Sequence, residues 1–140
     1  MSTAATVLLA ESNRDDVLIM QNAFRDAEIK NRLLIVENGE QALAYFKGEG
    51  KYRDRELFPL PSLFLISRLL HLKDGVQVLE WIANQPMLNH KMKVLMLSAA
   101  MDTSAKERAH ALGAEAFVLK PFRYNELVLM VAGWKKYLQF

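Results

Sequence analysis

The sequence contains no cysteine among its 140 residues. Disulfide bonds, thiolate metal sites and thiol nucleophiles are therefore excluded, and with nothing to indicate an oxidising compartment we expect the protein in the cytoplasm. The sequence also has no large excess of positive or negative charge, because 18 Lys and Arg oppose 16 Asp and Glu. The resulting charge of +2 is dispersed, without a block of five or six like charges, and so favours neither nucleic acid nor a membrane as a partner.

Long hydrophobic runs are missing as well. Apolar runs such as those at residues 63–66 and 94–97 hold only a few residues each, whereas a helix that crosses a bilayer needs about 20. The first ten residues are apolar but lack the basic segment and cleavage site of a signal peptide. We therefore predict no membrane segment, and a chain of this length predicts one domain over residues 1–140.

What the sequence does contain is a regular alternation. Five short apolar runs, at residues 6–10, 33–36, 63–66, 93–97 and 116–119, are each followed by a segment of helical character. Apolar residues three or four apart predict the core-facing side of the first and last helices; they are Val17, Met20, Phe24 and Ala27, then Leu127, Met130, Val131, Trp134 and Leu138. Continuous apolar strands are typical of burial on both faces, which predicts an α/β fold with a parallel sheet.

Local signals support these boundaries. Asn38 with Gln41, and Asp74 with Gln77, have the spacing of a helix N-cap and its partner. Gly113 has the position of a helix C-cap. Residues 47–58 carry seven charged side chains and two glycines, and we interpret them as a solvated loop.

Polar residues follow four of the predicted strands. In a doubly wound parallel sheet, ligands bind at the carboxyl ends of the strands. The residues expected there are one carboxylate, three hydroxyls and two cations: Glu11, Ser12, Ser67, Arg68, Ser98 and Lys120.

Several stretches resemble the receiver domains of two-component response regulators. They are VLLAESNRDD at 7–16, NGEQAL at 38–43, PSLFLISRLLHLKDG at 61–75, VLMLSA at 94–99 and LGAEAFVLKPF at 112–122. The resemblance implies a flavodoxin-like, doubly wound (βα)5 domain with strand order 2-1-3-4-5. The loop YRDRELFPLP at 52–61 further resembles stand-alone receivers that work beside bacterial phytochromes.

The resemblance also assigns roles to single positions. Such domains accept a phosphoryl group from a histidine kinase on an aspartate that ends the third strand, with magnesium held by an acidic pair after the first. It places Ser67 at the acceptor and Glu11 with Ser12 at the acidic pair. It places Ser98 at the hydroxyl that contacts the phosphoryl group, Lys120 at the family's lysine and Phe117 at the aromatic switch. Arg68 stands where a hydrophobic residue is usual, and Lys120-Pro121 is expected to be a cis peptide.

These departures predict a loss of the usual chemistry. Magnesium is normally held through one or two carboxylates, so we expect no metal and no other cofactor. A serine is a weak nucleophile without an activating base, and His71, His90 and His110 have no paired spacing. A hydrolytic Ser67–His71 pair lacks an orienting acid, so we expect no enzyme.

The same departures change the expected charge of the pocket. An intact receiver has three carboxylates and a lysine there, about −2, whereas Glu11, Arg68 and Lys120 give about +1. We expect Arg68 or Lys120 to pair with Glu11 in the place of the metal. Aspartates at 12 and 67 would bring the net charge of +2 to 0, so the excess positive charge reflects the altered site and does not indicate nucleic-acid binding.

The sequence thus predicts an atypical single-domain response regulator that acts as a phosphorylation-independent protein-interaction module. Because no output domain is expected after Phe140, it would act in trans, on a histidine kinase or another signalling protein. The resemblance places the partner face at the helix, strand and helix from 102 to 137, with Asp102, Lys106, His110, Phe117, Arg123 and Tyr124. The apolar end, with Tyr137, Leu138 and Phe140, predicts a homodimer.

Two other functions stay open. One is a working phospho-receiver that uses Ser67 or another residue such as Asp74. The other is a small-anion or nucleotide sensor that uses Ser67, Ser98, Arg68 and Lys120. Simpler structural roles are also open: a Ser67 hydroxyl bonded to backbone, an Arg68 directed into solvent, and a Glu11 that serves only the helix dipole.

Overall fold

The computed structural model describes residues 5–89 and 92–138. Strands and helices alternate along the chain as the apolar runs predict. The strands are β1 (Val7–Ala10), β2 (Leu33–Val36), β3 (Leu63–Ser67), β4 (Lys93–Ser98) and β5 (Ala116–Leu119). The helices are α1 (Arg14–Asp26), α2 (Gly39–Lys47), α3 (Gly75–Ala83), α4 (Pro86–Asn89), α5 (Thr103–Ala111) and α6 (Tyr124–Gly133). Short 3-10 turns cover Gly50–Arg53 and Trp134–Tyr137.

The five strands form one parallel sheet in the order β2-β1-β3-β4-β5. This confirms the predicted flavodoxin-like fold and its strand order. The central strands β1 and β3 are buried along their whole length, whereas the edge strands β2 and β5 are mostly half-buried. The register pairs Ser67 with Leu97 and Ser98 with Leu119, so the carboxyl ends of β3, β4 and β5 lie side by side.

Helices cover both faces of the sheet. On one face α1 and α6 pack through the two predicted stripes, with Met20, Phe24, Leu127, Val131 and Trp134 buried. On the other face α2, α3 and α4 supply buried side chains such as Phe46, Val78, Ile82 and Leu88. The apolar periodicity thus predicted the two helix stripes correctly, because each helix has only one face against the sheet.

The predicted helix boundaries are confirmed. The Asn38 side chain accepts a hydrogen bond from the Gln41 N–H at the start of α2, and Asp74 and Gln77 form a reciprocal capping box at the start of α3. Gly113 has φ +97° just after α5, a backbone conformation that favours glycine.

The segment 47–58 is not a solvated loop throughout, so that interpretation is wrong in part. Tyr52 is buried and contacts the rings of Tyr45 and Phe58. The Arg55 guanidinium donates to the carbonyls of Tyr45, Phe46 and Phe58. Counting charges missed this packing, because an arginine can satisfy several backbone carbonyls at once while aromatic rings cover its stem.

The end of the chain also differs from expectation. Tyr137 and Leu138 are partly buried and pack on the core beneath α1 and α6, so they do not form the exposed apolar terminus that predicted a dimer; Phe140 lies outside the described residues. The Lys120-Pro121 bond is trans, and the prediction of a cis bond is wrong. Trans is the commoner isomer before proline by about 0.5–1 kcal/mol, and with it Lys120 still reaches the site. No helix in the described ranges is long and apolar enough to span a membrane.

Candidate functional site

The carboxyl ends of β1, β3, β4 and β5 meet around a cavity of about 260 Å³. Parallel strands bring their carboxyl ends to one edge of the sheet, as expected for a ligand site in this fold. Five of the six predicted strand-end residues line the cavity, with Asn13, Asp16 and neighbouring loop residues; the five are Glu11, Ser67, Arg68, Ser98 and Lys120.

Ser67 ends β3 and is buried at the base of this cavity. Its hydroxyl donates to the Leu69 carbonyl at 3.3 Å, and no hydrogen bond to the His71 side chain is formed. Gly75, the first residue of α3, lets the helix approach closely, because a Cβ there would lie 2.5 Å from the Ser67 carbonyl oxygen. The hydroxyl is therefore held by backbone, and among the described residues no hydrogen bond joins it to a side chain that would activate it.

Ser12 is the one predicted strand-end residue that does not line the cavity. Its hydroxyl donates to the Glu37 carbonyl at 2.7 Å and accepts from the His71 N–H at 3.0 Å. It therefore joins the loop after β1 to the loops after β2 and β3. A hydroxyl can both donate and accept, whereas an ionised carboxylate only accepts, so an aspartate could not make this pair of contacts.

Glu11 is buried at the carboxyl end of β1 and forms an ion pair with Lys120. The Lys120 ammonium lies 2.9 Å from Glu11 Oε1 and 3.6 Å from Asp16 Oδ2. The other carboxylate oxygen of Glu11 accepts from the Asn13 N–H at 3.2 Å. Of the two cations expected to pair with Glu11, it is Lys120 that does so.

Arg68 has a different partner. Its guanidinium lies 3.3 Å from Asp102 Oδ2, just before α5, so Arg68 is neither paired with Glu11 nor directed freely into solvent. Its Nε is buried and has no hydrogen-bond acceptor within the described part of the chain. The ion pair connects the loop after β3 to the loop after β4.

Ser98 ends β4 at the cavity, and Phe117 lies on β5. The Ser98 hydroxyl is buried and donates to the Ala100 carbonyl. Phe117, on β5, is partly buried and packs against the core on the face that α2 and α3 cover. In this state both side chains are engaged within the chain.

The predicted positive charge of the pocket is wrong. Asp16 lines the cavity and contacts Lys120, so two carboxylates oppose two cations in the lining. With Asp102, which contacts Arg68 from outside the lining, the local balance is about −1. The sequence-based count covered only strand ends. Asp16 lies in the first turn of α1, where acidic residues are favoured. The helix start that follows β1 was therefore the signal that could have placed Asp16 at the site.

The residues present do not suit a magnesium ion. Magnesium prefers an octahedron of oxygen ligands, but an ammonium lies against the one strand-end carboxylate, and the Ser12 hydroxyl bonds elsewhere. Within residues 5–89 and 92–138, no group of three or more His, Asp or Glu could hold a metal ion. That magnesium is not bound stays a prediction, which the donor chemistry supports.

The residues predicted to form the partner face are mostly exposed. Lys106, His110, Arg123 and Tyr124 are exposed, whereas Asp102 and Phe117 are partly buried. The Tyr124 hydroxyl donates to Asp26, which connects α6 to α1. This bond, with the adjacent Arg25, holds the pKa of Asp26 below its usual value, and it raises the pKa of Tyr124.

Comparison with known proteins identifies the family. The family model described as the response regulator receiver domain matches residues 7–132. The chain belongs to this family. It is 27% identical over 127 residues to the response regulator Rcp1 of Synechocystis sp., an alignment that covers 91% of this chain and 84% of that protein.

Solved receivers have the same architecture. The phosphorylated cyanobacterial phytochrome response regulator RcpA superposes with a TM-score of 0.86 at 25% identity, over 97% of this chain and 94% of that one. The response regulator RPA3017, from red light signalling of R. palustris, superposes with a TM-score of 0.85 at 29% identity, over 93% of this chain and 91% of that one. This receiver domain is therefore similar to phytochrome response regulators and belongs to two-component signalling.

Proposed function

We propose that this receiver is an atypical member of a phosphorelay, in which Ser67 replaces the phosphoryl acceptor and the domain acts as a phosphorylation-independent protein-interaction module. The position of Ser67 carries the proposal. The side chain that ends β3 in the receiver site is a buried hydroxyl that is bonded to backbone and, among the described residues, hydrogen-bonds no basic side chain.

Two further contacts support the proposal. Lys120 pairs with Glu11, and its ammonium therefore occupies the space beside the carboxylate where a metal would bind. Ser12 joins three loops instead of facing the cavity. Both contacts hold the site in one arrangement without a metal or a phosphoryl group, so magnesium is not needed and catalysis is not expected.

The partner proposed is a histidine kinase or another signalling protein, bound in trans in the cytoplasm. The relatives' names support a kinase of the phytochrome type, because they include phytochrome and red-light response regulators. The exposed side chains Lys106, His110, Arg123 and Tyr124 are available on the proposed partner face.

Neither alternative function gains comparable support. The Asp74 side chain is used in the capping box of α3, so it is poorly placed as a second acceptor. The buried Arg68 Nε without an acceptor favours an anion site, but Arg68 and Lys120 each already contact carboxylates. If the anion sensor were correct, phosphate or a nucleotide would raise the melting temperature.

An NMR titration tests the proposal. Amide spectra of the uniformly labelled protein are recorded alone, with Mg²⁺, and with Mg²⁺ and beryllofluoride. We expect the Ser67, Ser98 and Lys120 amides to stay in place in all three. Saturable shifts of these amides that require both additions would contradict the proposal, since they would show a functional phosphoryl site.

A further inference from the structure

Helix α5 buries very little apolar surface against the rest of the domain. Of its nine residues, only Ala105 and Ala109 are buried. Helix α3, which has the same length, buries Val78, Leu79 and Ile82. An alanine side chain is a single methyl group, and apolar stabilisation grows with the area that is buried. Apolar packing therefore holds α5 less firmly than it holds α3.

The two ends of α5 are held differently. After its C-terminal end, Leu112 and Ala114 pack on the core. Before its N-terminal end, residues 99–101 form an exposed loop, in which the Ser98 hydroxyl donates to the Ala100 carbonyl. The C-terminal end therefore has an apolar anchor, whereas the N-terminal end depends on other contacts.

Arg68 provides such a contact. Its Nη1 lies 3.3 Å from Oδ2 of Asp102, and the two side chains are 26% and 36% exposed. The other oxygen of Asp102, Oδ1, accepts from the Ala105 N–H as the N-cap of α5. One carboxylate therefore begins the helix and also connects it to the loop after β3.

The backbone of Arg68 is fixed on both sides. Its N–H donates to the Leu97 carbonyl of β4 at 2.8 Å, and its carbonyl accepts from the Gly75 N–H of α3 at 3.1 Å. Because β4 and α3 determine where the side chain starts, less order has to be gained when it contacts Asp102. A second ion pair, between Arg108 and Glu80 at 3.2 Å, joins the C-terminal half of α5 to α3.

We propose that Arg68 is the positioning residue of α5, and that its ion pair with Asp102 holds the N-terminal end of this helix in place without a phosphoryl group. Removal of the pair releases this end. Since solvent reaches both side chains, salt weakens the pair as well. The consequence for partner binding rests on the proposed function, because α5 belongs to the proposed partner face; the position of α5 itself does not depend on that function.

Hydrogen exchange of single amides, followed by NMR, measures how often this end of α5 opens. Arg68→Met is expected to accelerate exchange of the Lys106 and Glu107 amides about threefold, the effect of losing one partly exposed ion pair. In the wild type, a rise from about 20 mM to about 1 M NaCl should act in the same direction, and in Arg68→Met it should act less. The Leu79 and Ile82 amides of α3 are the internal reference.

Arg25→Met is the matched control. It removes an arginine from an exposed ion pair with Asp26 on α1, a helix on the opposite face of the sheet, and should leave exchange in α5 unchanged. Equal effects of Arg68→Met and Arg25→Met on α5, or no acceleration by Arg68→Met, would overturn the proposal.

Asp102→Asn tests the pairing itself. Asparagine keeps an acceptor for the Ala105 N–H, since Asn and Asp are similarly good N-caps, but it offers no charge to Arg68. The combination of Asp102→Asn with Arg68→Met is expected to exchange no faster in α5 than Asp102→Asn alone, because both substitutions remove one contact. Effects that multiply would overturn the proposal. Failure of the proposed function would appear instead as a gain of phosphoryl mass from acetyl phosphate, which these exchange rates do not measure.

Discussion

The Lys120 ammonium lies 2.9 Å from Oε1 of Glu11, a carboxylate that is only 5% exposed. These residues are 109 positions apart in the sequence, so the contact joins the end of β5 to the end of β1 across the receiver site. A buried carboxylate needs a compensating partner. In this chain the partner is the Lys120 side chain, which compensates the Glu11 charge without a bound metal.

Removal of Lys120 tests the importance of that partner. Lys120→Met leaves Glu11 buried beside Asp16, and we expect the free energy of unfolding to fall by about 2–3 kcal/mol. Glu11→Gln in the same chain removes the uncompensated charge, so the double variant is expected to be more stable than Lys120→Met. Urea denaturation at neutral pH measures the free energy of unfolding of the wild type, of Lys120→Met and of the double variant.

The exposed ion pair of Arg108 with Glu80 provides the control. Its atoms are 3.2 Å apart, but both side chains are about half exposed. Arg108→Met should cost less than about 1 kcal/mol, because solvent screens such pairs. If Lys120→Met and Arg108→Met lower the free energy of unfolding equally, burial of Glu11 does not strengthen its pairing with Lys120.

Ser12→Ala tests the connection between the loops. The substitution removes the bonds to the Glu37 carbonyl and the His71 N–H, and we expect a loss of about 1–2 kcal/mol in unfolding free energy. Hydrogen exchange of the His71 amide should accelerate. Ser104→Ala, on the exposed side of α5, is the control and should change neither quantity appreciably. Unchanged His71 exchange in Ser12→Ala would show that this bond does not restrain the loop.

Stability at high pH tests the environment of Tyr45. Burial raises the pKa of Tyr45 from 10.0 to about 12, and its hydroxyl donates to the Pro59 carbonyl at 2.6 Å. The folded state therefore holds this proton more tightly than the unfolded state. Stabilisation is complete below pH 10 and is lost as the pH rises toward 12.

Thermal denaturation between pH 9 and pH 12, for the wild type and Tyr45→Phe, measures this contribution. The wild type should lose stability more steeply over that range, because the variant has no hydroxyl at position 45 to titrate. If the melting temperatures of the two proteins fall in parallel as the pH rises, Tyr45 has the same pKa in the folded and unfolded states.

Restoration of aspartates tests which positions cause the loss of phosphorylation. We expect Ser67→Asp alone to stay unmodified by acetyl phosphate, because the second metal carboxylate is still missing. Ser12→Asp with Ser67→Asp supplies a carboxylate at each position and should gain the mass of one phosphoryl group in the presence of Mg²⁺. Chelation of the metal is the control. A double variant that stays inert would mean that Arg68 or the Lys120 pair also blocks the reaction.

The fold followed from the sequence because its signals are local or periodic. Apolar runs defined all five strands to within one residue or so, and caps such as Asp74 fixed the helix starts. The strand order came from the family resemblance, since periodicity does not define the order of strands. The buried contacts of Tyr52 and Arg55 were missed because they depend on tertiary packing, which the charge pattern of the segment hides.

The site was predicted as a set of residues but not as a network. Five strand-end residues meet as expected, because topology alone brings them together. Their partners were not predictable: Arg68 was expected near Glu11 and instead contacts Asp102, and Ser12 turned out to connect loops. Asp16 and Asp102 reverse the expected sign of the local charge, since helix-start residues approach the site only once the chain is folded.

Intact-protein mass spectrometry after incubation with acetyl phosphate and Mg²⁺ tests the central claim most directly. The account predicts that the wild-type chain keeps its unmodified mass, because the Ser67 hydroxyl is bonded to a backbone carbonyl and Lys120 lies beside Glu11. A Mg²⁺-dependent gain of one phosphoryl group, localised by fragmentation to Ser67 or to an aspartate of the site, would contradict it.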